Sequence, residues 1–435
     1  MSKVKAIVVI IGVLVTSFSA QAQDGLSLEE AVARAVQNNF DVRVARLQTE
    51  VAANNNAWGE TSALPSITAN ASYRLNISDQ SENPTSFIQA KIQTTGLEYG
   101  ADLNWTLFDG LGMFANKRQL ELLEAQSEGN ASLIIENTVQ AITLAYYDVK
   151  VQEQKLEVLQ EVIALSRDRL DYAEVQKELG ASTTFEILQF ENAIVSDSTN
   201  YLLQQIALRN AQRNLNLLMG EETETDWQLT TDLTSPNTQY EYGVLWQEVS
   251  NNNQSLRNQV INSMLSEQGT RLARAQMFPV LSFNAGITES DNQFEAGDLA
   301  ASGQTLNYFG AFALQFNLFN GGRTRRALQN ARVQEEIALL GIDDQRLRVQ
   351  TDLRNALDVY NAQLDIYRLT AKNVANQKRA LDIAEERFNN GVINSFDYRT
   401  QQVSYLNAST SNIEALQNLL STHTTLVRLR GGLIR

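Results

Sequence analysis

Two carboxylates stand at matching places in this 435-residue chain. In "LGASTTFEILQ" Glu186 lies six residues after Gly180, and in "NNGVINSFDYRTQQ" Asp397 lies six after Gly391. Each follows a glycine that breaks one helical tract, and each falls in the opening turn of the next. The positive end of a helix dipole favours an acid there, which is a structural role sufficient in itself.

Catalysis would need acid, base or nucleophile groups converging on one spot, and the chain carries no local signature of that. It has no G-x-x-x-x-G-K-[ST] phosphate loop, no G-x-S-x-G elbow and no H-E-x-x-H pair. Its one histidine, His423 in "STHTT", fits a packed or solvated structural place better than a catalytic one. With no cysteine there is no thiolate chemistry, disulfide or usual zinc site, and neither a metal nor a cofactor is expected.

A formal net charge of −15 argues against a nucleic-acid backbone as partner. The N-terminus carries an export address: "MSKVK", then the apolar "AIVVIIGVLV", then Ala20-Gln21-Ala22 for cleavage. A signal peptide over 1–22 is expected, the alternative being an uncleaved anchor. The apolar core is well short of the ~20 residues a helical span needs, so any membrane insertion must be by strands.

The elements that position the carboxylates come twice. The expected layout is a first repeat at 23–220, a linker at 221–243 and a second repeat at 244–435. Each repeat opens on a helix, an Asn-rich break and a second helix, ended by Pro65 or Pro279. Alternating apolar and polar residues then predict strands at 66–75 and 97–108, and again at 280–288 and 307–319. The polar links between them, 76–95 and 289–306, are long for hairpins inside a compact domain. Tyr73, Trp105, Tyr308 and Phe316 fall on the apolar side; Asn70, Asp102, Asn104, Gln315 and Asn317 fall on the polar side.

Such strands occur in sandwiches as well as in membrane barrels. The export signal favours the barrel, and segments of about 10 residues suffice for a tilted membrane strand. Four strands cannot close a barrel alone, so that reading demands an oligomer.

Each strand pair ends in "WTLFDG" (105–110) or "FNLFNG" (316–321), where Gly110 and Gly321 are expected to turn the chain into a helix. The proline-free tracts 112–178 and 322–389 follow, each roughly 100 Å long if helical. Their narrow apolar stripes suit coiled-coil packing. Return helices are expected at 184–219 and 395–429, so that each repeat is a strand hairpin on a long helical hairpin spanning 112–219 or 322–429. Gly129 and Gly341, inside the long helices, suggest only a bend or a close backbone approach.

The ordered set of helix, "LP"/"FP", strand pair, "LFDG"/"LFNG", long helix, "LG"/"NG" break and return helix resembles the TolC-like outer membrane efflux proteins, from about Leu26 to Gly431. The resemblance implies a mostly α fold with β: a homotrimer with a 12-stranded barrel in outer-membrane lipids, continued by a 12-helix periplasmic tunnel. It implies a passive exit duct for efflux or one-step secretion, in the outer membrane and periplasm of a Gram-negative bacterium. A periplasmic adaptor and an inner-membrane transporter of the RND, ABC or MFS type would supply recognition and energy. The alternative reading is a periplasmic coiled-coil adaptor or scaffold, which predicts a single hairpin and an unduplicated sheet.

In the family, acids after the second glycine break ring the periplasmic constriction, where repeated carboxylates filter ions. Asp397 and Glu186 match those positions. Thr400 stands where many relatives carry a further acid, and Ile393 where a basic bracing residue is found, so the resemblance implies a closed state with fewer ionic links. The tips Leu179-Gly180 and Asn390-Gly391 would dock the adaptor.

Overall fold

The computed structural model describes residues 25–433; the signal peptide expected at 1–22 lies outside them. In chain order the elements are β1 (Gly25–Leu26), α1 (Leu28–Asn38), α2 (Phe40–Asn55), β2 (Ser66–Asp79), β3 (Lys91–Phe108), α3 (Gly112–Glu178) and α4 (Thr184–Met219). There follow β4 (Gln228–Leu229), α5 (Tyr242–Asn252), α6 (Gln254–Ala275), β5 (Val280–Ala296), β6 (Leu299–Gln315), α7 (Arg323–Asn389) and α8 (Ser395–Leu429). The long helices α3 and α7 both contain 67 residues.

The Asn-rich breaks are helix starts. Asn39 caps α2 by accepting from the Asp41 and Val42 amides at 2.9 and 3.3 Å, and Asn253 caps α6 by accepting from Leu256 at 3.2 Å. Each cap satisfies amides that have no partner inside the helix.

The chain divides into two compact units. One holds the residues up to Ala35, Ile142–Ser235 and Leu369–Gln417; the other holds Val36–Ala141, Pro236–Arg368 and the residues from Asn418.

In the first unit a core of Leu26, Ile142, Tyr146, Val149, Leu215 and Met219 joins α1, α3 and α4. The Tyr146 hydroxyl donates to the Leu26 carbonyl at 2.8 Å and accepts from the Thr231 amide at 2.9 Å, clipping the parallel β1–β4 pair onto α3. A second core, with Phe190, Leu381, Phe388 and Tyr398, lies at the two helical turns.

In the second unit, Leu245, Val249, Leu353, Tyr360, Leu419 and Leu426 join α5, α7 and α8. Gly129 and Gly341 mark close approach: a Cβ at Gly129 would collide with Asn258 and Gln254, and one at Gly341 with Gln259. Helix α6 thus lays its amide side chains against α3 on one side and α7 on the other.

The same unit holds an antiparallel sheet of order β2-β3-β5-β6. Register puts Ile67, Leu103 and Ala285 in one row, and Trp105, Phe283 and Phe312 in another. The apolar positions therefore form one continuous face. It is uncovered in the single chain: Ile67, Tyr308, Phe312 and Leu314 are 73, 77, 71 and 70 % exposed. No described helix is long and apolar enough to cross a membrane.

Several strand boundaries differ from the sequence expectation. Strands β2, β3, β5 and β6 run well into the links expected at 76–95 and 289–306, leaving only Gly297 and Asp298 between β5 and β6. The extensions, such as "TESDNQFE" in β5 with Phe294 its one apolar residue, are mostly polar, so pairing continues where alternation fades. At the other end β6 stops at Gln315 instead of 319. Phe316 and Asn317 consequently leave the sheet, and neither lies on the strand face assigned to it.

Candidate functional site at the two helical turns

The turn between α3 and α4 is set by Gly180, whose φ of +77° is cheap only without a Cβ. Gly180 donates to the Lys177 carbonyl at 2.9 Å and Ala181 to that of Gln176 at 2.8 Å, the crossed pair that closes a helix end. Leu179 beside it is exposed.

The turn between α7 and α8 repeats this. Gly391 has φ +70°, and Gly391 and Val392 donate to Phe388 and Arg387 at 2.9 and 2.8 Å. Asn390 sits on the exposed crest.

The two candidate carboxylates part company here. Glu186 closes a capping box: its side chain accepts from the Thr183 amide and the Ser182 hydroxyl, both at 3.0 Å, while its own amide donates to Thr183 Oγ1 at 3.2 Å. Asp397 is exposed. Its amide takes the cap from Asn394 Oδ1 at 2.9 Å, and its carboxylate makes no ion pair among the described residues. Thr400 bonds back to the Phe396 carbonyl at 2.9 Å. Asp397 and Thr400 line one groove with Arg387 and Ile393, whereas Glu186 lines another with Asn390 and Gly391.

The principal ionic ties at the turns come from residues that sequence reading missed. Arg399 donates to both oxygens of Asp197, at 2.7 and 2.6 Å, tying α8 to α4. Arg169 ion-pairs with Glu385, donates to Asn389 Oδ1 at 2.6 Å and stacks 5.6 Å from the Tyr398 ring, tying α3 to α7. Burial pushes the Tyr398 hydroxyl above its ordinary pKa.

Higher on the same unit, Lys378 meets Glu161 at 2.9 Å, and Tyr405 donates to the other oxygen of that carboxylate at 3.1 Å. Burial works against the Lys378 charge, but Glu161 outweighs it and holds the ammonium above its usual range. Ile393 packs against the apolar core of the turns. The available signal was Asp197 itself, an acid at a buried stripe position after Phe190 and Ala193.

Residues 245–432 match the family model described as outer membrane efflux protein. The outer membrane protein TolC of Vibrio cholerae is 21 % identical over 371 residues, covering 84 % of this chain and 81 % of that protein. The chain is thus similar to the outer membrane efflux proteins, by family model in its second half and by the TolC relative along most of its length. Among solved structures, CusC superposes with a TM-score of 0.76 at 16 % identity, over 93 % of this chain and 92 % of CusC. The Campylobacter jejuni CmeC outer membrane channel gives 0.74 at 17 % identity, over 93 % and 85 %. These likenesses fix the fold of the chain along nearly its whole described length.

Proposed function

We propose that this chain is an outer-membrane channel-tunnel, the passive exit duct of an efflux pump or one-step secretion system. The observation that carries the reading is the sheet: one face is apolar and bare, and both edge strands, β2 and β6, pair on one side only. A sandwich would cover that face with the same chain; here lipid is the cover. On β6 the apolar face runs from Leu306 to Leu314, roughly 27 Å along the strand and roughly 20 Å once tilted, close to the ~25 Å apolar band of outer-membrane barrels. Above it the face turns polar, with Asp291, Gln293 and Glu295 on β5.

The open edges support a closed homo-oligomer, because a bare strand edge invites pairing and a ring removes every edge. Three copies would make the twelve strands. The helical layer is open as well: α2 bares Phe40, Val44, Leu47 and Val51 along one stripe, and α7 bares Val333, Ile337, Leu340 and Leu347. These stripes suit one another across neighbouring copies. Two matching hairpins and a bare sheet run against the single-hairpin adaptor alternative.

Asp397 is the better candidate for the constriction, since its carboxylate is free to meet passing ions, while the Glu186 carboxylate is engaged by its cap. Three copies of Asp397 would favour cations. Leu179, Gly180, Asn390 and Gly391 form the exposed crests that a periplasmic adaptor would grip. Energy would come from an inner-membrane transporter, since the chain has no nucleotide-binding motif.

Envelope fractionation tests this reading. The expected product is an outer-membrane trimer, resistant to detergent until boiled, that conducts in planar bilayers. A soluble periplasmic monomer would overturn it.

A further inference from the structure

We propose that the groove beneath the apolar face of the sheet, where β3 hands over to α3, holds one anionic phospholipid of the periplasm-facing leaflet. The proposal rests on the outer-membrane reading above. The groove, about 850 Å³, is walled by Phe108, Leu111, Phe114 and Phe278, with Arg271 and Arg274 at its rim.

Its apolar wall continues the lipid-facing surface. Phe108 pairs with Leu281, next on that face to Phe283 and Trp105. An acyl chain lying on the sheet can therefore pass into the groove without leaving apolar surroundings. The far end is an interfacial pair: Trp58 meets Phe114 edge-on at 5.9 Å, with the Lys117 ammonium 5.9 Å from the indole. Aromatic rings beside cations mark the headgroup level of a membrane.

The cations have something to hold. Arg274 makes no ion pair among the described residues, and Arg271 holds only the exposed Glu267, at 2.7 Å. Helix α6 ends here, which alone favours an arginine. The dipole does not explain why two arginines flank a wall of phenylalanine in a chain of net charge −15. A phosphate on the arginines with its acyl chain on the wall accounts for both.

The backbone gives an independent sign. Leu111 holds φ +69°, a conformation costly for a branched residue, and its side chain is 60 % exposed. The corresponding place in the second half is Gly322, at φ +74°. Glycine suffices for the turn, yet the first half keeps a strained leucine against the groove. Gly110 beside it leaves no freedom, since a Cβ there would press on Ala275 and Phe278. The turn is thus packed against the end of α6, and Leu111 is held over the groove.

The test uses the full protein purified in detergent, delipidated, and offered phosphatidylglycerol, phosphatidylcholine or inorganic phosphate, with bound lipid counted by native mass spectrometry. Wild type should retain phosphatidylglycerol at about one per chain, phosphatidylcholine about tenfold less, and phosphate alone should not displace the lipid. Arg271→Gln with Arg274→Gln should lower phosphatidylglycerol retention about tenfold and still insert and conduct. Leu111→Gly, which relieves strain, should lower retention without lowering thermal stability. Unchanged retention in either variant, or displacement by phosphate alone, overturns the lipid site while leaving the duct intact. Failure of wild type to reach the membrane would instead overturn the duct.

Discussion

Arg399 holds Asp197 through two hydrogen bonds, and the side chain it neutralises is only 1 % exposed. A buried carboxylate deprived of its cation is strongly destabilising, whereas an apolar pair of similar volume is often tolerated. Arg399→Leu should lower stability by about 3–5 kcal/mol. Adding Asp197→Leu should recover most of the loss. Urea unfolding of the purified protein checks both, and a double variant as weak as the single one would refute the pairing argument.

Glu186 offers a way to separate a cap from a charge. Glutamine also closes a capping box, so Glu186→Gln should leave stability within about 0.5 kcal/mol of wild type. Thr183→Ala should cost about 1 kcal/mol. Any change in ion selectivity in Glu186→Gln then reports the lost charge. Asp397→Asn should shift selectivity away from cations by more than Glu186→Gln does, as read from reversal potentials in planar bilayers. An equal effect of the two would contradict the division of labour between them.

His423 is half-buried beside Tyr240, its Nε2 2.9 Å from the hydroxyl. Burial first, and the Arg430 charge second, hold its pKa below the ordinary value of 6.5. Between the two values the unfolded chain binds a proton that the folded chain refuses, so stability falls as pH falls. The neutral form stabilises fully above about pH 6.5, and that contribution drains away below it. Relative to His423→Phe, wild type should lose melting temperature between pH 7 and 5, with a constant difference above 7. A difference independent of pH would contradict the assignment.

Tyr146→Phe keeps the core volume but orphans the Leu26 carbonyl and the Thr231 amide. The expected loss is about 1–3 kcal/mol, by urea midpoint, because buried backbone groups would lose their partner. Tyr360→Phe should behave likewise, since its hydroxyl donates to the Thr238 carbonyl at 2.9 Å.

Much of the fold was legible because each element announced itself locally. Alternation marked strands, and the glycines at 180 and 391 stood where the backbone must turn left-handed. The prolines were a looser guide, since the helices before Pro65 and Pro279 already stop at Asn55 and Ala275. The strand extensions were not legible, since "TESDNQFE" is polar at every position but Phe294 and period two carries little contrast there. Gly129 and Gly341 were visible as anomalies, but their reason lay in Gln254, Asn258 and Gln259 of α6, distant in the sequence from both, and only packing shows which side chains arrive. The candidate site was legible in the same partial way. Asp397 and Glu186 shared a spacing, yet the difference between a free carboxylate and a capped one depends on the side-chain rotation that the sequence leaves open. The Arg399–Asp197 tie escaped because its partners lie 202 positions apart.

The bare edges of the sheet carry a genetic consequence. If three chains close one ring, each edge of one copy is completed by the opposite edge of another, and no joint can be repaired from within. A proline placed in β6 would spoil its own chain and every ring that chain enters. In a cell making equal amounts of both forms, about one ring in eight would be wholly sound. Such an allele should therefore be dominant, and drug or cargo export in the mixed cell should fall far below half.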